Sequence, residues 1–282
     1  MGINPPVIKK DTMFEDFSIA KKQHFKLFFK SSRELYGEGP DLECNLKIYQ
    51  DLLVYTFIRE HIPAGSRLLE VGGGDSRVLD KLSEQYECWN LDKLEGLGYG
   101  PCLLESPPYR LVKAYAGDFA HELPDNYFDI AFSISALEHT PPDDPELYDR
   151  IAVDIDRVLK KGAYSLHCID VVLSVKMEKA YYDYMFYEGS LKGHDETRIA
   201  AYNTLPDSDG SDYYCPNIIN HFACLPNVIS SMPDLQSADS QVSTWTMSQK
   251  EYDSTWKKYV VKKEYSLFGK PTSVNVLWQN QI

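Results

Sequence analysis

The chain has 282 residues, 43% of them hydrophobic and 25% charged, enough for one large domain with a full core or a domain with an added lobe. Disordered and collagen-like classes are excluded by that composition. With 42 acidic side chains against 29 basic ones the net charge is −13, a field that repels phosphate backbones and anionic lipid, so neither nucleic acid nor a membrane is expected as a partner.

The first residues, MGINPPVIKKD, lack an apolar targeting core, and Pro6 stands where a myristoylation signal needs Ser or Thr. The expectation is a cytoplasmic protein. Apolar stretches such as residues 52–58 fall far short of the roughly 20 residues that cross a bilayer. Residues 14–62 read as largely helical, because apolar groups recur at spacings of three and four, with Gly37, Gly39 and Pro40 dividing two segments. Lys21, Lys22, Lys26 and Lys30 read as the solvated face of the first.

After Pro63 and Gly65 the period changes. RLLEVGGG is a short apolar run ending in glycines, the profile of a buried parallel strand that feeds a turn. SRVLDKLSEQ follows as a helix, ECWNLD as a second strand, YRLVKAYAGDF as a third and FDIAFSISAL as a fourth. DPELYDRIAVDIDRVLKKG then reads as a helix with Ile151, Ile155 and Leu159 on one face and Gly162 as its left-handed cap. AYSLHCID is the fifth strand. From Val171 to about Ser240 the pattern loosens into an insertion or lid, which holds a helix-like KMEKAYYDYMFYEG, a polar LPDSDGSDYYCP and NIINHFACLPNVISSM. The end, YVVKKEYSLFGKPTSVNVLWQ, reads as two strand-like runs joined through Gly269, Lys270 and Pro271, an antiparallel edge on a mostly parallel sheet.

Six cysteines, Cys44, Cys88, Cys102, Cys168, Cys215 and Cys224, include no CxxC pair and read as reduced thiols, with Cys88 and Cys168 in the core. His167 and Asp170, three apart on a strand, point to opposite faces and make a poor metal pair, so no metal is expected.

The chemistry centres on Glu70-Val71-Gly72-Gly73-Gly74-Asp75-Ser76. Three glycines remove every Cβ where the chain must turn and a ligand can approach the backbone, and the helix start beyond them offers unpaired N–H groups. A dinucleotide fingerprint would want a further glycine where Arg77 stands. Glu70 suits a ligand with positive charge, and Asp92, closing the second strand, occupies the place of the acid that grips ribose hydroxyls.

These residues resemble a class I S-adenosylmethionine-dependent methyltransferase of the broad small-molecule group. LLEVGGGDS resembles that family's first motif through Glu70, Gly72 and Gly74, with Gly73 and Ser76 inside it. NLD resembles the second, with Asp92 on the ribose. AGDF resembles the acidic turn after the third strand, which implies Gly117 at the turn, Asp118 on the adenine amine and Phe119 near the ring. FDIAFSISALEH resembles the fourth-strand motif, with Ser133 and Ser135 at the cofactor, and RVLKKGAYSLH the elements that follow. The matches run in the family's order over about residues 66 to 168. Two departures stand out: Ala163 where many members have a second glycine, and Ser133-Ile134-Ser135 where a more acidic strand end is common.

The resemblance implies an α/β fold with a doubly wound, mostly parallel seven-stranded sheet, a Rossmann-like methyltransferase core over 63–170. A helical cap (1–62), an insertion or substrate lid (171–240) and C-terminal strands (241–282) would complete it. It implies S-adenosylmethionine as cofactor and methyl transfer to a small-molecule or carrier-borne acceptor, oxygen before nitrogen. His139, at the carboxyl edge of the sheet, is the candidate base; lining the cofactor site or capping a helix are its other readings, and Glu138 either orients it or faces solvent. Tyr181, Tyr182, Tyr184, Phe186 and Tyr187 read first as core packing, second as an acceptor-wrapping lid. Two other functions stay open: a nucleotide-sugar or nicotinamide oxidoreductase, and a non-catalytic partner subunit that keeps the fold.

Overall fold

A computed structural model describes residues 17–96, 100–189, 213–257 and 263–281. The N-terminal MGINPPVIKKD, most of the polar stretch before Tyr213 and the YVV run near the C-terminus lie outside them.

Seven strands form one sheet: β1 Arg67–Val71, β2 Glu87–Leu91, β3 Arg110–Val112, β4 Phe128–Ile134, β5 Leu159–Leu173, β6 Tyr213–Tyr214 and β7 Lys270–Gln279. β3, β2, β1, β4 and β5 are neighbours in that order and all parallel, while β7 runs antiparallel along β5 from Tyr164 to Leu173. β6 pairs antiparallel with Val172 and Leu173, on the edge that β4 vacates when it ends. This is the mostly parallel, doubly wound sheet implied by the sequence.

Alternation along the strands builds two apolar layers. Leu68, Ile130, Phe132, Leu166 and Cys168 face α2 (Leu46–His61), whose residues from Tyr49 to Ile58 are all buried. Leu69, Val71 and Ala131 face the other way, against Ile151 and Ile155 of α4 (Pro145–Val158). Burying a helix on each face is what lets parallel strands be apolar on both sides. Asn45 and Asp144 cap these helices, accepting from Lys47 N at 2.9 Å and Leu147 N at 2.9 Å.

Three expectations change. The N-terminal segment begins with a 3-10 turn, Lys22–Lys26, before α1 (Phe29–Tyr36), and Lys21 is buried because its backbone bridges to Thr244; Lys22, Lys26 and Lys30 are exposed. Gly162 does not cap α4. The helix ends at Val158, Leu159 pairs directly with Phe128, and Gly162 takes its φ of +79° inside the bulge before Ile130 meets Tyr164. The C-terminal hairpin is also absent from the described residues: Tyr265–Phe268 is a helical turn, and β7 alone joins the sheet, through β5.

Candidate active site

The carboxyl ends of β3, β2, β1 and β4 stand side by side, so the turns that follow them line one edge in that order. Above them lies a cavity of about 550 Å³, within the range of small-molecule sites. Gly72, Gly73, Gly74, Asp92, Asp118, Ser135 and His139 all line it, as do Lys47, Thr140 and Tyr187.

The glycine turn is held from beneath and from the side. Glu70 is buried and accepts from the Ser76 hydroxyl, while Ser76 Oγ in turn accepts from Leu79 N at 3.0 Å to cap α3 (Arg77–Leu82). Gly72 N donates to Leu91 O at 2.8 Å, Gly73 N to Asn90 Oδ1 at 3.1 Å, Gly74 N to Asp92 Oδ2 at 2.8 Å and Ser76 N to the Tyr109 hydroxyl at 3.2 Å. Asn90 Nδ2 donates back to Gly74 O at 2.9 Å. The three glycine amides and Ser76 N are thus spent on the protein's own acceptors, and in the first turn of α3 the Leu79 amide is as well. Glycine is needed for room: a Cβ on Gly73 would lie 2.7 Å from Glu70 Cδ, and one on Gly72, where φ is +69°, would lie 2.7 Å from Ala136 Cβ.

Burial pushes the Glu70 carboxyl up to about 8, against the Ser76 hydrogen bond, so near neutral pH it is largely protonated. It braces the turn from beneath and does not line the cavity. Arg77, in the place of the missing glycine, grips Asp51 of α2 through Nε at 2.9 Å and Nη2 at 2.5 Å; the Tyr36 hydroxyl donates to the same carboxylate at 2.6 Å. The turn and the N-terminal helices are thus tied together.

Asp92 receives Gly74 N at 2.8 Å and Leu94 N at 2.7 Å, which fixes its carboxylate at the cavity wall with lone pairs to spare. Asp118 is exposed to the cavity and accepts from Tyr115 N at 3.2 Å. The turn that carries it is clamped by buried Asp154 of α4, which accepts from Gly117 N at 2.8 Å and Phe119 N at 3.1 Å and is held by Arg157 at 2.8 Å.

Of the residues the sequence singled out, Glu70, Ser76, Gly117, Phe119 and Ser133 do not line the cavity. Glu70 and Ser76 lie under the turn, and Gly117 faces α4. The Phe119 ring sits 42% exposed beneath the Arg157 guanidinium. Ser133 is buried and bonds His167 Nδ1 at 2.8 Å, while Ser165 takes Nε2 at 2.8 Å. Burial drives that histidine down to about 3, and it stacks on Trp278, which makes it a neutral core residue. Asp170 lies on the opposite face of β5, as the spacing required. Cys88 and Cys168 are buried thiols.

His139 ends a 3-10 turn, Leu137–His139, just past β4. Its Nδ1 donates to the Phe186 carbonyl at 2.5 Å, which leaves Nε2 as the basic nitrogen of the neutral ring. Burial lowers its pKa below the ordinary 6.5, so the ring is uncharged at neutral pH. Glu138 faces inward, not to solvent: it is buried with neither carboxylate oxygen in a hydrogen bond, and burial raises its pKa. Ser135, at φ +50°, is held by Asp170, which accepts its hydroxyl at 2.9 Å and Gln50 Nε2 of α2 at 2.8 Å. Of the tyrosine-rich segment, Tyr181, Tyr182, Tyr184 and Phe186 are core, and Tyr187 alone among them reaches the cavity wall.

Sequence reasoning passed over Asn90, Tyr109, Lys47 and Thr140. A polar residue at the penultimate position of an apolar parallel strand was a usable signal for Asn90. The other three are brought in by the fold.

Residues 69–166 match the family described as a methyltransferase domain. No curated protein matches the chain. Among solved structures it is similar to Haemonchus contortus phosphoethanolamine N-methyltransferase 2 in complex with phosphomonomethylethanolamine and S-adenosylhomocysteine, at 15% identity over 96% of this chain and 61% of that one, TM-score 0.46. It is also similar to Burkholderia thailandensis 1,6-didemethyltoxoflavin-N1-methyltransferase, at 17% identity over 61% of this chain and 74% of that one, TM-score 0.34. A third is an S-adenosylmethionine-dependent methyltransferase from Archaeoglobus fulgidus, at 16% over 81% and 94%, TM-score 0.38. The chain spans about 61% of the length of the first. Among the described residues no helix is long and apolar enough to cross a membrane.

Proposed function

Residues 69–166 form a methyltransferase domain of the class I, S-adenosylmethionine-dependent type, and on that premise we propose that the protein methylates a small-molecule or carrier-borne acceptor, with oxygen favoured over nitrogen as the accepting atom. The observation that carries this reading is the saturated glycine turn. A pyrophosphate needs backbone donors there, and the Gly72, Gly73, Gly74 and Ser76 amides are all engaged within the protein. A sulfonium donor needs room and acceptors instead, and the turn supplies the first while Asp92 and Asp118 supply the second. The same fact weighs against a nicotinamide oxidoreductase.

In the proposed site Gly72, Gly73 and Gly74 form the floor, Asp92 accepts from the ribose hydroxyls, Asp118 accepts from the adenine amine, and Ser135 bounds the β4 side. Bound there, S-adenosylmethionine would supply a methyl already activated on sulfur. The protein's tasks are therefore alignment, exclusion of water and removal of the acceptor's proton. His139 Nε2 would take that proton, and the Phe186 carbonyl, which accepts from Nδ1, would stabilise the imidazolium that results. A hydroxyl gains from such a base and a neutral amine does not, which is why oxygen is favoured. Phe186 and Tyr187 bring the segment after residue 171 to the acceptor side of the cavity.

The test is calorimetry with S-adenosylhomocysteine beside fluorescence titration with NADH. Micromolar binding of the first and none of the second is expected. A protein that binds NADH, or neither ligand, overturns the reading, the latter in favour of a non-catalytic subunit.

A further inference from the structure

The resemblance makes the N-terminal helices a cap on the methyltransferase core. The order of the turns along the sheet edge gives one of their residues a place in the cofactor site. Asp118 follows β3, Asp92 follows β2, the glycines follow β1, and Ser135 and His139 follow β4, so the cavity has a β3–β2 end and a β1–β4 end. If the two acids take adenine and ribose, as the proposed function has it, the amino-acid tail of the donor runs to the β1–β4 end and carries an α-carboxylate there. That carboxylate lies in an acidic chain, over a turn whose three glycine amides are already engaged.

Among the described residues two lysines line the cavity. Lys93 follows β2 and sits over the Tyr115 ring at 5.6 Å, which belongs to the β3–β2 end. Lys47, in the first turn of α2, is the one whose charge is felt by Glu70, Glu138 and His139, which belong to the β1–β4 end. Among the described residues Lys47 makes no ion pair and no side-chain hydrogen bond, although its helical neighbours are both engaged: Gln50 with Asp170 and Asp51 with Arg77. Those two contacts fix α2 against β5 and against the helix that leaves the glycine turn. A tethered helix therefore holds an unengaged ammonium at the wall. Neither buried carboxyl forms an ion pair with it, and burial raises both, Glu70 to about 8.

We infer that Lys47 binds the α-carboxylate of the donor, which makes α2 part of the cofactor site. The inference rests on the proposed function and is tested separately from it by two ligands that differ only at the tail end: S-adenosylhomocysteine, which carries the carboxylate, and 5′-methylthioadenosine, which does not. Calorimetry on the wild-type protein, Lys47→Ala and Lys47→Arg is expected to give a Kd for S-adenosylhomocysteine at least tenfold weaker in Lys47→Ala and largely restored in Lys47→Arg. The Kd for 5′-methylthioadenosine is expected to be the same in all three. Equal losses for both ligands would mean that Lys47 supports the fold, and unchanged binding of both would leave it to the acceptor; either result overturns the assignment. Wild-type protein that binds neither ligand overturns the proposed function instead.

Discussion

The two sides of the cavity are built in different ways. The donor side is a local construction: Glu70, the three glycines, Ser76, Asn90 and Asp92 fall within two strands and the helix between them, and they bond mainly to one another. The acceptor side is assembled from distance, with His139 from the turn after β4 and Tyr187 from beyond β5. A side made of neighbours is fixed once two strands pair. One made of strangers exists only when the whole chain has folded, and its chemistry can change without disturbing the other.

Substitutions can break this division. Gly73→Ala strikes the donor side hardest, because the new Cβ would sit 2.7 Å from Glu70 Cδ and 2.9 Å from Asn90 Oδ1, both buried braces. Overpacking of this kind costs about 1–3 kcal/mol, and calorimetry should show S-adenosylhomocysteine binding weakened by up to about a hundredfold. His139→Ala should do the reverse: donor binding is kept while kcat for methyl transfer falls about a hundredfold or more, the usual share of a general base. The wild-type pH profile should lose activity only below pH 6.5, as acid protonates His139 against its lowered pKa, and that limb should vanish in the variant.

Asp92→Asn keeps one acceptor for the two backbone N–H groups and removes the charge, so the donor Kd should rise about tenfold, the scale of one charged hydrogen bond. The smallest effect concerns Glu70. Its folded pKa is raised to about 8 from an ordinary 4.5, so the native state holds a proton that the unfolded chain gives up. Its contribution to stability is full below 4.5 and is lost as pH climbs to 8. The Tm of wild type relative to Glu70→Gln should therefore fall by a few degrees across that window, measured by calorimetric scans. A flat difference would mean that Glu70 is ionised beneath the turn.

The same division explains what was legible in the sequence. β1 to β4, the glycine turn, Asp92 and Asp118 could be read because buried parallel strands are short apolar runs and sharp turns demand glycine. The Gly162 cap failed because α4 runs straight into β5, so the glycine serves a bulge instead. Over Tyr265–Phe268 the expected strand is a helical turn, because apolar alternation there does not distinguish a strand from one turn of helix packed on the core. Glu70 was given to the ligand because a motif fixes which residue stands where but not which way its side chain faces. Lys47 carried no local signal: nothing in its own helix points to a cavity that β1 and β4 complete.

One contact on the donor side reaches beyond geometry. The turn after β3 is a surface feature whose backbone, left to itself, would open to water, yet Asp154 holds two of its amides from the interior of α4. Gly117 and Phe119 should exchange their amide protons with solvent at the slow rate of that helix and not at the fast rate of a loop. In the resting enzyme the platform proposed for adenine would then already be rigid, so that little disorder remains to be frozen out when the nucleoside docks.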